Sequence, residues 1–179
     1  MKRSLWVSGT ALFASLTVLL DFMLKFAGLK IPFPLFPVLK FDLDGVPIMM
    51  SLYLFGLSSG GIVSFILFTF ISLRSGDVFS ASMKALAEFS TALGVFLSSK
   101  YINFIGKSQY LTVISGSFFR SFIMCITTYI TFPLFSGFSP SPEILMFILL
   151  FNIIAGTLSS GAGFLLYLAI KKRLHLTRR

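Results

Sequence analysis

The polar side chains with the clearest capacity for chemistry lie in one segment, residues 31–56. It places Lys40, Asp42 and Asp44 among prolines, between two long apolar runs. An ammonium and two carboxylates this close together either fix the segment or bond the polar groups of a ligand. Prolines lower the entropy that such a segment loses when it orders. A plain connection between apolar runs has no need of this combination.

Further polar residues interrupt the apolar runs that follow. Burying a charge in such a run is costly and is usually functional, so Glu88 and Arg120 either pair with each other or one of them faces a ligand cavity. Asn152 fits a cavity and a structural role equally well. Threonine bonds readily to a carbonyl of its own helix, so Thr127 and Thr128 favour a structural role.

The remaining reactive residue types form no catalytic constellation. Asp21 and Lys25 stand four apart, which predicts a local ion pair. Cys125 is the single cysteine, and within an apolar run it favours packing, while the single histidine, His175, lies in a basic tail. The sequence contains no nucleotide-binding P-loop, H-E-x-x-H, G-x-S-x-G or C-x-x-C pattern. We therefore expect neither an enzyme nor a cofactor, and any ATPase that drives this protein is another polypeptide.

Composition defines the class of protein that must position these groups. Apolar residues make up 56% of the chain, charged residues 12%, and the mean hydropathy is +0.94. Soluble domains are about 45–50% apolar and about 25% charged. The chain is therefore expected to be an integral membrane protein.

The apolar runs predict six transmembrane helices, because none of them alternates with the period of a strand. The predicted spans are residues 5–26, 46–58, 61–73, 83–99, 111–135 and 144–170. The second and third are short and flank the small residues 57–61. They form either two short helices or one kinked helix, which would reduce the count to five. We expect one transmembrane domain over residues 1–179, with an outer loop near 28–45 and a basic tail near 171–179.

Charge placement favours the even count, with both termini in the cytoplasm and the chain in the cell membrane. Most of the 15 basic residues then lie inside, in accord with the positive-inside rule: Lys2, Arg3, Lys100, Lys107, Lys171, Lys172, Arg173, Arg178 and Arg179. The outer side carries most of the acids: Asp42, Asp44, Asp77 and Glu143. Against the pattern, it also carries Lys30, Lys40, Arg74 and Lys84. The net charge of +9 is thus a topology signal, and no nucleic-acid partner is expected.

Small residues predict where helices approach closely. The strings LSSGG at residues 57–61 and LSSGA at 158–162 are nearly identical. Ala11 and Ser15 are spaced four apart in the first span. Small residues at this spacing let helix backbones pack together, so we interpret all three as helix-packing surfaces.

Taken in order, these motifs resemble a known family. The chain reads as a proline-containing loop, L-K-F-D at residues 39–42, D-G-V-P at 44–47 and L-F-G at 54–56. It continues with R-S-F-I-M at 120–124, T-Y at 128–129 and F-P-L-F at 132–135. This resembles the substrate-binding S-components of energy-coupling factor (ECF) transporters, and most of all their riboflavin-specific branch. That branch reads L-K-Y-D, D-I-P and F-G-P-x-x-G, then N-Y-F followed by P-L-Y or P-L-F.

The resemblance implies an all-α membrane protein of six helices, whose loop between helices 1 and 2 covers a vitamin pocket near the outer face. Riboflavin would be the transported ligand, and the partners a membrane coupling subunit and two cytoplasmic ATPases. The loop residues Phe33 and Leu35 would help to cover the ligand. The implied substrate-binding residues are Phe36, Leu39, Lys40, Phe41, Asp42, Asp44, Glu88, Thr128 and Asn152. In the family, small residues of the first helix contact the coupling subunit, and Ala11 and Ser15 match them here.

The chain departs from the riboflavin pattern at two informative positions. Phe41 replaces the tyrosine of L-K-Y-D, and Thr128 replaces the asparagine before Tyr129. An amide matches the donors and acceptors of a flavin edge better than a hydroxyl does. Three alternatives stay open: an S-component for another heterocyclic vitamin or base precursor, a stand-alone carrier with Glu88 and Arg120 on its pathway, and an accessory membrane protein without a ligand.

Overall fold

The computed structural model of the protein describes residues 3–105 and 110–173. Six helices are joined in sequence, with two short strands after the first. The helices are α1 (Arg3–Phe26), α2 (Gly45–Phe55), α3 (Leu57–Ser75), α4 (Val78–Ile105), α5 (Tyr110–Ser136) and α6 (Pro142–Arg173). The strands are β1 (Ile31–Phe33) and β2 (Phe36–Phe41). Five residues invoked above lie outside the described residues: Lys2, Lys107, His175, Arg178 and Arg179.

The break between the second and third helices lies at Gly56. Its φ of 91° is left-handed backbone that glycine adopts without a steric cost. The alternative of one kinked helix is therefore wrong. The small residues 57–61, which the sequence places between the two spans, form the first turns of α3 instead.

The segment predicted as a loop contains a short β-hairpin, within a fold that is otherwise helical as predicted. Strands β1 and β2 are antiparallel, with Ile31 opposite Phe41 and Pro32 opposite Lys40. Prolines are compatible with edge strands, where their missing N–H leaves no ladder bond unmade. An isolated two-stranded hairpin is marginally stable, so this one depends on its contacts with the helices.

Small residues allow the close helix contacts that the sequence predicts. The Thr10 hydroxyl of α1 lies 2.7 Å from that of Ser59 in α3, which lies 2.5 Å from that of Ser51 in α2. A Cβ added at Gly163 of α6 would come within 2.6 Å of the Met49 Cβ atom in α2. The Ser160 hydroxyl of α6 also donates to the Val113 carbonyl of α5 at 3.4 Å. The predicted packing surfaces at 57–61 and 158–162 are thus confirmed.

The outside of the helix assembly is strongly apolar. Among the described residues, four helices are long and apolar enough to cross a membrane: Arg3–Phe26, Leu57–Ser75, Tyr110–Leu134 and Pro142–Arg173. Large apolar side chains such as Leu12, Phe65, Phe118 and Leu165 are each about 60% exposed. Exposed apolar area of this extent marks an interaction surface, and a lipid bilayer matches it along whole helices. The fold is that of a helical membrane protein.

Candidate ligand-binding site

A cavity of about 310 Å³ lies between the hairpin and the helices α4, α5 and α6. Its apolar wall comes from all four elements: Leu39, Met83, Ala87, Met124, Ile148 and Phe151. Ligand pockets for small organic molecules typically begin at about 300 Å³ and are mainly apolar, with a few well-placed polar groups. The cavity has the size and lining of a small-molecule site.

An aromatic cluster holds the hairpin against α6. The ring centroids of Phe41 and Phe151 are 4.8 Å apart, and those of Phe33 and Phe151 are 5.7 Å apart. The rings of Phe33 and Phe41 meet edge to face at 5.8 Å. Tilted and edge-to-face pairs at such distances are favourable beyond the apolar area that they bury. The hairpin is therefore fixed to the helix that also supplies the cavity wall.

Arg120 is the centre of the polar floor of the cavity. Its Nη1 donates to Glu88 Oε1 at 2.6 Å, and its Nε donates to Asn152 Oδ1 at 3.0 Å. Glu88 belongs to α4, Arg120 to α5 and Asn152 to α6, so one buried group joins three helices. The two interpretations of Glu88 and Arg120 both hold, since the residues pair and also line the cavity.

The second carboxylate oxygen of Glu88 faces the start of α2. This Oε2 atom is buried and accepts no hydrogen bond within the described part of the chain. It lies so close to Gly45 that a Cβ at that position would overlap it. Helix α2 has no side-chain cap, and a carboxylate near a helix N-terminus is stabilised by the unpaired N–H groups there. Glu88 therefore connects the cavity floor to the first turn of α2.

Thr128 differs from the threonine beside it. The Thr127 hydroxyl donates to the Ile123 carbonyl of its own helix at 2.8 Å, as predicted. Thr128 is buried and lines the cavity, and its hydroxyl makes no hydrogen bond to any described residue. The sequence left both a structural role and a ligand contact open for Thr128, and which of the two it has stays a prediction. Its hydroxyl is left to serve as a donor or an acceptor for a molecule in the cavity.

A cluster of charges closes the end of the cavity next to the hairpin. The Lys84 ammonium of α4 lies 3.0 Å from Asp21 and 2.5 Å from Asp42, and it also contacts Asp44. Lys30 lies 2.7 Å from Asp21 and 3.4 Å from Asp42, and Arg74 contacts Asp21. We call these six residues the charge cluster. They comprise three carboxylates and three cations.

The charge cluster corrects the ion pair predicted between Asp21 and Lys25. Asp21 is fully buried and pairs with Lys30, Arg74 and Lys84, whereas the Lys25 side chain is exposed. A spacing of four residues favours a pair on an isolated helix by only about 0.2–0.5 kcal/mol. Partners from other segments supply more charge and more burial, so they determine which pair forms.

The two carboxylates before α2 titrate in opposite directions. Burial raises the pKa of Asp44 well above its ordinary value, and the neighbouring Asp42 carboxylate raises it further. Burial also acts to raise the pKa of Asp42, but Lys84 and Lys30 outweigh it and hold that pKa below its ordinary value. Of the two carboxylates, Asp42 is thus the anionic one, and it faces Lys84 and Lys30.

The structure places the residues predicted to bind substrate in two groups. Six of them line the cavity: Leu39, Lys40, Asp42, Glu88, Thr128 and Asn152. The others lie outside its lining, since Phe36 and Phe41 pack toward Phe151 and Asp44 is buried against Lys84. Sequence reasoning missed Met83, Lys84 and Phe151. Of these, Lys84 gave a signal, because it is a basic residue on the side where acids were expected.

The small residues Ala11 and Ser15 lie on the outer face of α1. Both are exposed, and the Ser15 hydroxyl donates to the Ala11 carbonyl at 3.0 Å. They line an open apolar groove of about 600 Å³ together with Phe70 and Ile66 of α3. Their contact with a coupling subunit stays a prediction.

Comparison with known proteins defines the class of fold. No protein-family model matches the sequence, and no curated protein matches it either. A solved structure of the S component of a bacterial ECF transporter matches with a TM-score of 0.78 and 22% sequence identity, over 97% of this chain and 99% of that one. At this identity the likeness shows the fold. The chain therefore has the fold of an ECF transporter S component, as the resemblance predicted.

Proposed function

We propose that this chain is the substrate-binding S-component of an ECF importer, and that it binds riboflavin or a related flavin for ATP-driven uptake. The observation that carries the proposal is the cavity between the hairpin and the helices α4–α6, in a chain with the S-component fold. Aromatic and aliphatic walls with a few polar groups suit a planar heterocycle.

The charges around the cavity favour a ligand without a net charge. Glu88 pairs with Arg120, and Asp42 pairs with Lys84. Lys40 is exposed on the hairpin and makes no ion pair with any described residue. An ionised group deep in the cavity would lose its hydration without gaining an unpaired counter-charge, which is unfavourable. We expect the free vitamin to bind more tightly than its phosphate ester.

Hydrogen bonds to the ligand come from the floor and one wall in this proposal. The Arg120 guanidinium uses Nε and Nη1 within the protein, so Nη2 is left as a donor toward a ligand carbonyl. The Thr128 hydroxyl supplies a second group, and Asn152 holds Arg120 in place. Leu39 of the hairpin contacts the ligand from the other side, next to Lys40.

Uptake requires partners in this proposal. The sequence has no nucleotide-binding P-loop, so a membrane coupling subunit and two cytoplasmic ATPases supply the energy. The groove beside Ala11 and Ser15 receives the coupling subunit, because small residues there allow a partner helix to approach closely. Both termini lie in the cytoplasm.

A fluorescence titration tests the substrate. Riboflavin is added to the detergent-solubilised protein, and stoichiometric quenching of its fluorescence is expected. Arg120→Met should abolish quenching, while Lys25→Met, which removes an exposed charge, should leave it unchanged. A correctly folded protein that leaves flavin fluorescence unaltered would rule out riboflavin. Phe41 and Thr128, which depart from the riboflavin pattern, would then direct the search to other heterocyclic vitamins.

Reconstituted vesicles test the dependence on partners. Vesicles that contain only this protein should bind the ligand without accumulating it, and uptake should appear when the coupling subunit, the ATPases and ATP are present. Ligand flux through the protein alone would instead support a stand-alone carrier.

A further inference from the structure

We infer that Lys84 is a positioning residue that holds the hairpin over the cavity, so that release of a bound ligand requires its contacts to break. The part of the inference that concerns ligand release rests on the proposed function, whereas the attachment of the hairpin by Lys84 does not. Lys84 touches carboxylates from three separate segments: Asp21 of α1, Asp42 at the end of β2, and Asp44 just before α2.

The position of Lys84 joins the cover of the cavity to its wall. Lys84 lines the cavity from α4, between Met83 and Glu88, and Asp42 lines it from the hairpin. The distance from the Lys84 Nζ atom to Asp42 Oδ2 is 2.5 Å. A movement of the hairpin away from the cavity must therefore separate this pair.

The hairpin is held by apolar packing and by ion pairs, and Lys84 forms the centre of the ion pairs. The first attachment comprises the contact of Phe33 and Phe41 with Phe151 on α6 and the packing of Leu39 between α4, α5 and α6. The second is the bond from Asp42 to Lys84 on α4, supported by a longer contact with Lys30. Because a two-stranded hairpin has little stability of its own, the loss of either attachment should loosen it.

Charge balance explains why Lys84 matters more than its neighbours. The charge cluster has as many cations as carboxylates, and Lys84 is the one cation in it that contacts all three acids. Without Lys84, the Asp42 carboxylate keeps only its longer 3.4 Å contact with Lys30. A largely buried charge that loses its partner is unfavourable until it returns to water. The Asp42 side chain is 13% exposed whereas Asp44 is fully buried, so Asp42 and the strand before it are the part that moves toward water.

The first test uses the protein without any ligand, so it does not depend on the proposed function. Amide hydrogen exchange is compared among the wild type, Lys84→Met and Lys25→Met in detergent. Lys84→Met should speed exchange in residues 31–41 about tenfold or more, with α6 unchanged. Lys25→Met, at the same end of the bundle but outside the charge cluster, should match the wild type. Unchanged exchange in the hairpin of Lys84→Met would overturn the inference.

The second test measures ligand kinetics with riboflavin as the probe. Lys84→Met and Asp42→Asn should each raise the dissociation rate about tenfold, because a hairpin that opens more often releases the ligand sooner. The association rate should change much less. Lys84→Arg keeps the positive charge and should restore part of the slow dissociation. Equal dissociation rates in all variants would overturn the inference, whereas failure of the wild type to bind riboflavin would contradict only the proposed substrate.

Discussion

Arg120 Nη1 lies 2.6 Å from Glu88 Oε1, and both side chains are buried between α4, α5 and α6. The other oxygen of the same carboxylate faces Gly45 at the start of α2. The pair therefore connects the floor of the cavity with the helix that follows the hairpin. A ligand bonded to Arg120 would change the charge environment of Glu88 and, through it, that of α2.

Removing the cation of this pair should destabilise the protein. Arg120→Met leaves the Glu88 carboxylate buried and unpaired, which costs about 3–5 kcal/mol. We expect a clear fall in the thermal unfolding temperature in detergent, followed by the fluorescence of Trp6, the single tryptophan. The double variant Glu88→Gln with Arg120→Met should recover part of that stability without recovering ligand binding. A single variant as stable as the wild type would contradict this account of the pair.

Gly45 should tolerate no side chain. In Gly45→Ala the new methyl group would overlap Glu88 Oε2 and come within 2.6 Å of the Ser159 hydroxyl. Overpacking of this kind costs about 1–3 kcal/mol. Gly60→Ala is the matched control, because its nearest neighbour would lie at an ordinary 3.5 Å. The thermal unfolding temperature is measured for both variants. An equal decrease in the two would show that the Glu88 side chain moves away from the new methyl group without cost.

The Thr128 hydroxyl should affect binding but not stability. It bonds to no described residue, so Thr128→Val keeps the shape and removes only a group offered to the ligand. One hydrogen bond is worth about 0.5–1.5 kcal/mol, so Kd should rise about two- to tenfold. Thr127→Val is the control, because that hydroxyl bonds within its own helix. A flavin titration measures Kd for both variants. Equal Kd values for Thr128→Val and Thr127→Val would show that the Thr128 hydroxyl does not contact the ligand.

The raised pKa of Asp44 predicts that stability decreases with rising pH. The folded protein keeps the Asp44 proton to a higher pH than the unfolded chain does, so this contribution is complete below about pH 4 and is lost as pH rises through the folded pKa. The groups facing Asp44 are Asp42, Lys84 and Glu88. The lowered pKa of Asp42 has the opposite effect on stability, because its contribution is lost as pH falls below about 4.

The test of this pH dependence is the Asp44→Asn variant, which carries the neutral form permanently. Between about pH 4 and pH 8 its unfolding temperature should vary less than that of the wild type. Asp77→Asn, which alters an exposed carboxylate that belongs to no ion pair of the charge cluster, is the control and should show the pH dependence of the wild type. A wild-type protein whose stability rises steadily over this range would contradict the assignment.

Features that depend on neighbouring residues could be predicted from the sequence. Apolar runs located every helix, and the prolines with Lys40 and Asp42 located the segment that covers the cavity. Glu88 and Arg120 stood out because charges in apolar helices need partners. Asn152 was also named from the sequence, and the structure adds that its Oδ1 accepts a hydrogen bond from Arg120 Nε.

Features that depend on distant contacts could not be predicted in the same way. Asp21 binds partners that are 9, 53 and 63 residues away, and only the packing of the helices brings them together. The hairpin was missed because its prolines indicate an irregular segment, whereas its strands are held by packing on Phe151. The choice between the two roles of Thr128 could not be made from the sequence, because a free hydroxyl is apparent only when the cavity beside it is known.

The cover and the floor of the cavity come from different parts of the chain. The cover is one continuous hairpin encoded before α2, while the floor draws Glu88, Arg120 and Asn152 from three later helices. Under the proposed function, substitutions in the hairpin would act mainly on how long a ligand is retained, and substitutions in the helices mainly on which ligand binds. Residence time and selectivity would then diverge separately during evolution.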